Sequence, residues 1–132
     1  MNHQTKSTSF FIRQNIAILV MLIIEFILGV LLTTVVPYHA NNVSTAHKIL
    51  LDVHIGLGVL LLGAAIVRLV LACKQRKLIT LSAVGLVALV GAFGSGEASI
   101  HGGGNTAVLL MALFFIAALI VYGTSLLRLK SQ

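Results

Sequence analysis

Residues 49–77 read ILLDVHIGLGVLLLGAAIVRLVLACKQRK. An apolar run over 49–73 ends at a cluster of basic residues, and that pairing decides the fold. A helix that crosses a bilayer needs roughly 20 apolar residues, with a working range of about 17 to 25. The run meets that length, and KQRK is the kind of flank that stays on the cytoplasmic side of a membrane. Three side chains interrupt it, Asp52 and His54 near its start and Arg68 near its end.

Three more runs of this kind surround it. One covers 16–36, bounded by Arg13 and Pro37. Another covers 78–93, between the basic loop and GSGE, with Gly94 and Gly96 able to extend it. The last covers 107–127, before RLKSQ. The expected architecture is therefore an all-α membrane protein, one four-helix antiparallel transmembrane domain over residues 1–132. Its helices fall at about 14–36, 47–73, 77–95 and 100–128. Composition agrees: 58% of the residues are hydrophobic and 9% are charged, where a soluble domain carries about a quarter charged. The first run is too long for the apolar region of a signal peptide and no small-residue cleavage site follows it, so it reads as a retained helix. Twelve glycines allow helices to approach closely.

Basic residues set the expected orientation. Lys6 and Arg13 precede helix 1, Arg68, Lys74, Arg76 and Lys77 lie at or near the helix 2–3 loop, and Arg128 and Lys130 follow helix 4; only Lys48 lies at the other end. The positive-inside rule then puts both termini in the cytoplasm of a multi-pass cell-membrane protein. The net charge of +6 is spread over juxtamembrane positions, where it suits anionic lipid head groups and requires no nucleic acid. The single cysteine, Cys73, forms no internal disulfide and reads as an apolar residue or an S-palmitoylation site beside the basic loop. Without CxxC or CxxCH, thiolate metal sites and covalent c-type heme are excluded.

This topology sorts the histidines. His3 is in the cytoplasmic tail, while His39, His47, His54 and His101 gather at the extracytoplasmic end with Asp52 and Glu97. His47 and His54 are seven residues apart, on one helix face and about 10.5 Å apart along the axis. One of them should match His101 in height if helices 2 and 4 are neighbours. Counting from the cytoplasmic basic ends favours His47. Local sequence favours His54: in HIGLG, Gly56 and Gly58 follow it, and Gly58, one turn on, leaves room for a flat macrocycle. His101 is followed by GGG, with Asn105 one turn beyond.

The pattern His-x-x-Leu-Gly at 54–58, opening an apolar helix, resembles that of membrane b-type cytochromes, and most of all the four-helix half-bundle of heme A synthase. The resemblance implies paired axial imidazoles on helices 2 and 4, matched here by His54 and His101, with His47 in reserve. The chain has one four-helix unit where that enzyme has two. It lacks the Glu-x-x-His tetrapeptide, since residue 51 is Leu, with Asp52 nearby. Heme binding carries over; the synthase reaction does not. A bis-imidazole iron has no open position and suits electron transfer. The implied function is transfer of electrons between the quinone pool, menaquinone or ubiquinone, and an extracytoplasmic acceptor. The cofactor is heme b, with Lys48 available to a propionate. One heme is expected; His47 and His39 leave a second site open.

Glu25 lies mid-helix in MLIIEFILG, far from any charge in sequence. A bare carboxylate at membrane depth costs several kcal/mol on insertion scales, so Glu25 should be protonated, hydrogen-bonded or paired. Two readings stand: an ion pair with Arg68, or a proton carrier and quinone contact. Blander readings stand beside the others too. His39 reads as a solvated loop residue, His47 as a helix cap or head-group contact, and His54 as hydrogen-bonded to a neighbouring helix. His101 and Glu97 read as loop residues. GSGEASIHGGGN, residues 94–105, has no phosphate-loop ending and reads as a re-entrant loop near a cofactor. Two other function classes remain open. A His-rich divalent-metal site is disfavoured because no i,i+4 histidine pair exists; the other is a cofactor-free accessory subunit of a larger membrane complex.

Overall fold

A computed structural model of the chain describes residues 3–34 and 45–130. They form four α-helices: α1 (His3–Thr34), α2 (Thr45–Gln75), α3 (Ile79–Ile100) and α4 (Gly104–Lys130). His39 lies outside the described residues. Each helix is long and apolar enough to cross a membrane, over Ser9–Leu32, Thr45–Gln75, Ile79–Ser99 and Gly104–Lys130. Large side chains such as Ile23, Phe26, Val59, Leu60, Val87, Leu109, Ile120 and Leu127 face outward around the bundle. In water such a surface would aggregate; in a bilayer it meets its own kind.

The buried positions explain the packing. On α1 they are Phe11, Asn15, Ile18, Leu22 and Glu25; on α2, Leu61, Ala65, Arg68 and Ala72; on α4, Phe115, Ala118, Tyr122, Ser125 and Leu129. The alternating spacing of three and four puts each set on one stripe. The three stripes meet α3 along the bundle axis, with Ile18, Leu22, Leu61, Ala65, Ala88, Leu89 and Ala118 forming the middle of the core. Each helix contacts its neighbours in sequence, and α1 closes the ring on α4. Helices 2 and 4 are therefore diagonal across the bundle, not neighbours as the height comparison assumed.

Two connections differ from expectation. The α3 helix does not stop near residue 95. It runs to Ile100, so 94–100 is helix and the re-entrant loop is not formed; only residues 101–103 separate α3 from α4. Ser95 Oγ donates to the Gly91 carbonyl at 2.7 Å and Ser99 Oγ to the Gly96 carbonyl at 2.6 Å. These bonds satisfy the hydroxyls against their own helix and let a glycine- and serine-rich segment stay helical in apolar surroundings. Gly102, at φ +96, then ends the helix, and the Gly103 N–H bonds the Ala98 carbonyl at 2.8 Å. This is a C-terminal motif that glycine forms without strain. The α2–α3 turn uses the same device without glycine: Arg76 has φ +53, and the Lys77 N–H bonds the Ala72 carbonyl at 3.1 Å. The α1 helix also starts earlier than expected, at His3 rather than near 14.

Candidate functional site

Antiparallel helices bring residues together in a fixed register, because each rises about 1.5 Å per residue in opposite directions. Between α1 and α2 that register sets Glu25 against His54 and Phe11 against Arg68. The two contacts lie fourteen residues apart on both helices, roughly 21 Å. An ion pair between Glu25 and Arg68 would have to span that distance, so the structure replaces it: the partner of Glu25 is His54.

His54 Nδ1 lies 3.1 Å from Glu25 Oε1, with side-chain exposures of 20% and 10%. The distance is that of an ion pair, but Nδ1 is not aligned as a hydrogen-bond donor, and Glu25 Oε2 is also buried without a partner. Two glycines make room for the pair. A Cβ on Gly29 would lie 3.5 Å from the His54 ring, and one on Gly58 would lie 3.3 Å from Glu25 Oε1 and 3.4 Å from the Phe93 ring. The glycine expected to matter below His54 thus borders the carboxylate as well.

The pair borders a cavity of about 340 Å³ in the half of the bundle away from the termini. Its walls are mainly apolar, with Phe26, Leu61, Leu89, Phe93, Met111 and Phe115 contributing from all four helices. Phe26 and Phe115 stack across α1 and α4 with ring centroids 5.7 Å apart. A volume of this size is in the range of small-molecule and cofactor sites, which are typically apolar with a few convergent polar groups, at about 300–1,000 Å³. Here the polar groups are Glu25, His54, His47 and Glu97.

The expected site residues divide into two groups. His54, Gly58, His47 and Glu25 border the cavity. His101 does not. It caps the C-terminus of α3, its side chain is 73% exposed, and its Nε2 lies 3.0 Å from Glu97 Oε1. Lys48 and Asp52 are exposed on the first turns of α2. The contact of Gly58 with Phe93 fixes the α2–α3 register and puts Glu97, not His101, level with His54. Cys73 is exposed at the end of α2.

A heme is the group that the sequence pattern implies, and the cavity can be tested against it. For one axial position the residues fit. A histidine that ligates a metal through one ring nitrogen commonly holds a carboxylate or carbonyl with the other. His54 places Nδ1 3.1 Å from Glu25 Oε1, which would leave Nε2 as the nitrogen for iron. For the second axial position this arrangement does not bring His101 to the cavity. His47, which does border it, lies on the same helix as His54. Among the described residues there is also no cluster of three or more His, Cys, Asp or Glu side chains suited to a bare metal ion.

Compared with known protein families, with curated proteins and with solved structures, the chain has no match in any of the three. What is established is a four-helix, multi-pass membrane protein with a polar pair in an apolar cavity.

Sequence reasoning singled out Glu25 and His54 separately but did not join them. It also missed a second polar layer nearer the termini. There Arg68, Asn15, Tyr122, Ser125 and Ser82 are all buried. Arg68 Nη2 donates to Ser125 Oγ at 2.8 Å, and Asn15 Nδ2 donates to the same oxygen at 3.2 Å. The signal was present: each of these residues on α1, α2 and α4 falls on its helix's three-and-four stripe.

Proposed function

We propose that the chain is a small membrane b-type cytochrome that holds heme b in the cavity and passes electrons between membrane quinol and an acceptor on the far side. The observation that carries this reading is the His54–Glu25 contact: a carboxylate 3.1 Å from Nδ1 would hold the ring once Nδ1 turns to donate to it, leaving Nε2 for iron. Bound heme would supply reversible one-electron transfer. The protein's part is to hold, orient and insulate. Glu25 would hold the rotation of the His54 ring. Gly29 lies beside the His54 ring, and Gly58 lies beside Glu25 and Phe93. Phe26, Phe93 and Phe115 provide the apolar wall that excludes water.

His101 is the proposed second ligand, with His47 in reserve. Its present contact with Glu97 is an exposed pair, a type that contributes only about 0–1 kcal/mol; reaching a heme in the cavity would also require the α3–α4 end to move, because His101 stands outside the cavity. The basic residues Arg13, Lys74, Arg76, Lys77, Arg128 and Lys130 all lie at the end with the termini, which supports placing that end in the cytoplasm of a cell membrane. The cavity then opens toward the extracytoplasmic half.

A second reading rests on the same pair. A quinone head group in the cavity without heme would meet an imidazole and a carboxyl together, with Glu25 taking up or releasing the proton. Optical spectra of the detergent-purified protein, expressed with heme supplied, distinguish the two. Sharp reduced α and β bands are expected. A featureless spectrum would remove the cytochrome reading and leave the quinone reading to direct binding measurements.

A further inference from the structure

Arg68 is fully buried, and a guanidinium keeps its charge in proteins. The chain has three acidic side chains. Glu25 is at His54, Glu97 is beside His101, and Asp52 is exposed near the start of α2. None is level with Arg68, so this buried cation has no side-chain carboxylate to balance it. Its neighbours are neutral. Nη1 reaches the Phe11 carbonyl at 3.4 Å, Nη2 reaches Ser125 Oγ at 2.8 Å, and the guanidinium lies 5.1 Å from the centre of the Phe11 ring.

The layer holds three donors without acceptors, against one acceptor without a donor, Asn15 Oδ1. Arg68 Nε, Tyr122 Oη and Ser82 Oγ are buried without a hydrogen-bond partner. Ser125 Oγ already accepts from Arg68 and Asn15, so its own hydrogen must point elsewhere. Tyr122 is within electrostatic reach of Arg68. Its hydroxyl would lie 3.1 Å from a Cβ on Gly85, and Ser82 is one turn from Gly85 on the same face of α3. A positive charge and several unpaired hydroxyl and N–H donors, closed off from solvent, are what a negative ion requires. Ionisable residues inside membrane bundles commonly mark ion sites.

We propose that this layer binds a small inorganic anion of the halide type, held by the Arg68 guanidinium and the hydroxyls of Tyr122, Ser125 and Ser82. Size follows from packing. All of these side chains are at most 1% exposed, and the residues around Ser125 are already in hydrogen-bond contact, so a single atom suits the space better than a polyatomic anion. The bound ion balances the charge and accepts the orphaned donors at once. This site is about 21 Å along the axis from the His54–Glu25 pair, and it does not rest on the cytochrome reading.

The test is the unfolding midpoint of the full-length protein in detergent, in sodium chloride, sodium bromide and sodium gluconate at equal ionic strength. A ligand that binds only the folded state raises the midpoint in a saturable way. An upward shift of a few degrees in chloride and bromide, absent in gluconate, is expected. Arg68→Gln should abolish the shift, and Tyr122→Phe should weaken the apparent halide affinity several-fold. Equal midpoints in chloride and gluconate would overturn the proposal and leave internal water as the occupant. So would a halide response that survives Arg68→Gln. If Arg68→Gln does not fold, an unchanged halide affinity in Tyr122→Phe overturns it instead.

Discussion

The bundle has two polar layers, and they are built in opposite ways. Near the termini, Arg68, Asn15, Tyr122 and Ser125 are packed closed, with Arg68 and Asn15 both bonded to Ser125 across α1, α2 and α4. In the other half, Glu25 and His54 touch but border a cavity of about 340 Å³. An apolar layer of Ile18, Leu22, Leu61, Ala65, Leu89 and Ala118 separates them. Polar groups buried in a bundle interior cost stability unless they are satisfied. The closed layer repays part of that cost with its own bonds and leaves Arg68 Nε, Tyr122 Oη and Ser82 Oγ without protein partners. An open layer repays it only when something else enters. The difference marks the first layer as one that ties helices together and the second as the candidate binding site.

That contrast can be broken by substitution. The largest effect is expected for Tyr122→Ala, which empties a fully buried position and should cost about 3–5 kcal/mol. Phe93→Ala on the cavity wall, already half-buried, should cost well under half as much. Equal losses in a denaturation titration in detergent would show that the two layers do not differ. Ser125→Ala comes next. It removes the acceptor shared by Arg68 and Asn15 and should cost about 1–3 kcal/mol.

In the open layer the expected effect falls on binding instead of stability. Glu25→Gln keeps the shape and gives up the carboxylate that faces His54 Nδ1. Heme affinity should fall about 10–100-fold while the unfolding midpoint hardly moves. Heme affinity unchanged in Glu25→Gln would remove its orienting role. The smallest effect is at the turn between α2 and α3. Arg76 holds φ +53, which glycine adopts without steric cost, so Arg76→Gly should stabilise by roughly 0.5–1 kcal/mol. A loss of stability would mean that the Arg76 side chain contributes more than its backbone strain costs.

Much of this was legible in the sequence, because a bilayer reduces fold prediction to length and polarity. The four helices and their antiparallel order can be read from apolar runs, and Glu25 and His54 stand out as the residues that interrupt them. Pairing was harder. A run shows that Glu25 is buried without showing which way it faces, and the chain offers Arg68 as an obvious cation. The decisive quantity is register: the α1–α2 contacts put His54 level with Glu25, and Arg68 level with Phe11. Helix adjacency was also hidden. Helices 2 and 4 run in the same direction, and in a ring of four sequential antiparallel helices two such helices are diagonal. The glycines and serines of 94–100 read as a loop because glycine lowers helix propensity, but hydroxyls bonded to their own helix let the segment continue. The Arg68 layer escaped notice because asparagine, serine and tyrosine in an apolar run look incidental until the spacing of three and four puts them on one face.

The most direct measurement is the heme-to-protein ratio, by pyridine hemochrome assay, of the wild type and His54→Ala purified side by side from cells supplied with heme. The account predicts about one b heme per chain in the wild type and close to none in His54→Ala, with both proteins folded. A wild type without heme, or a His54→Ala variant that keeps it, would contradict the account.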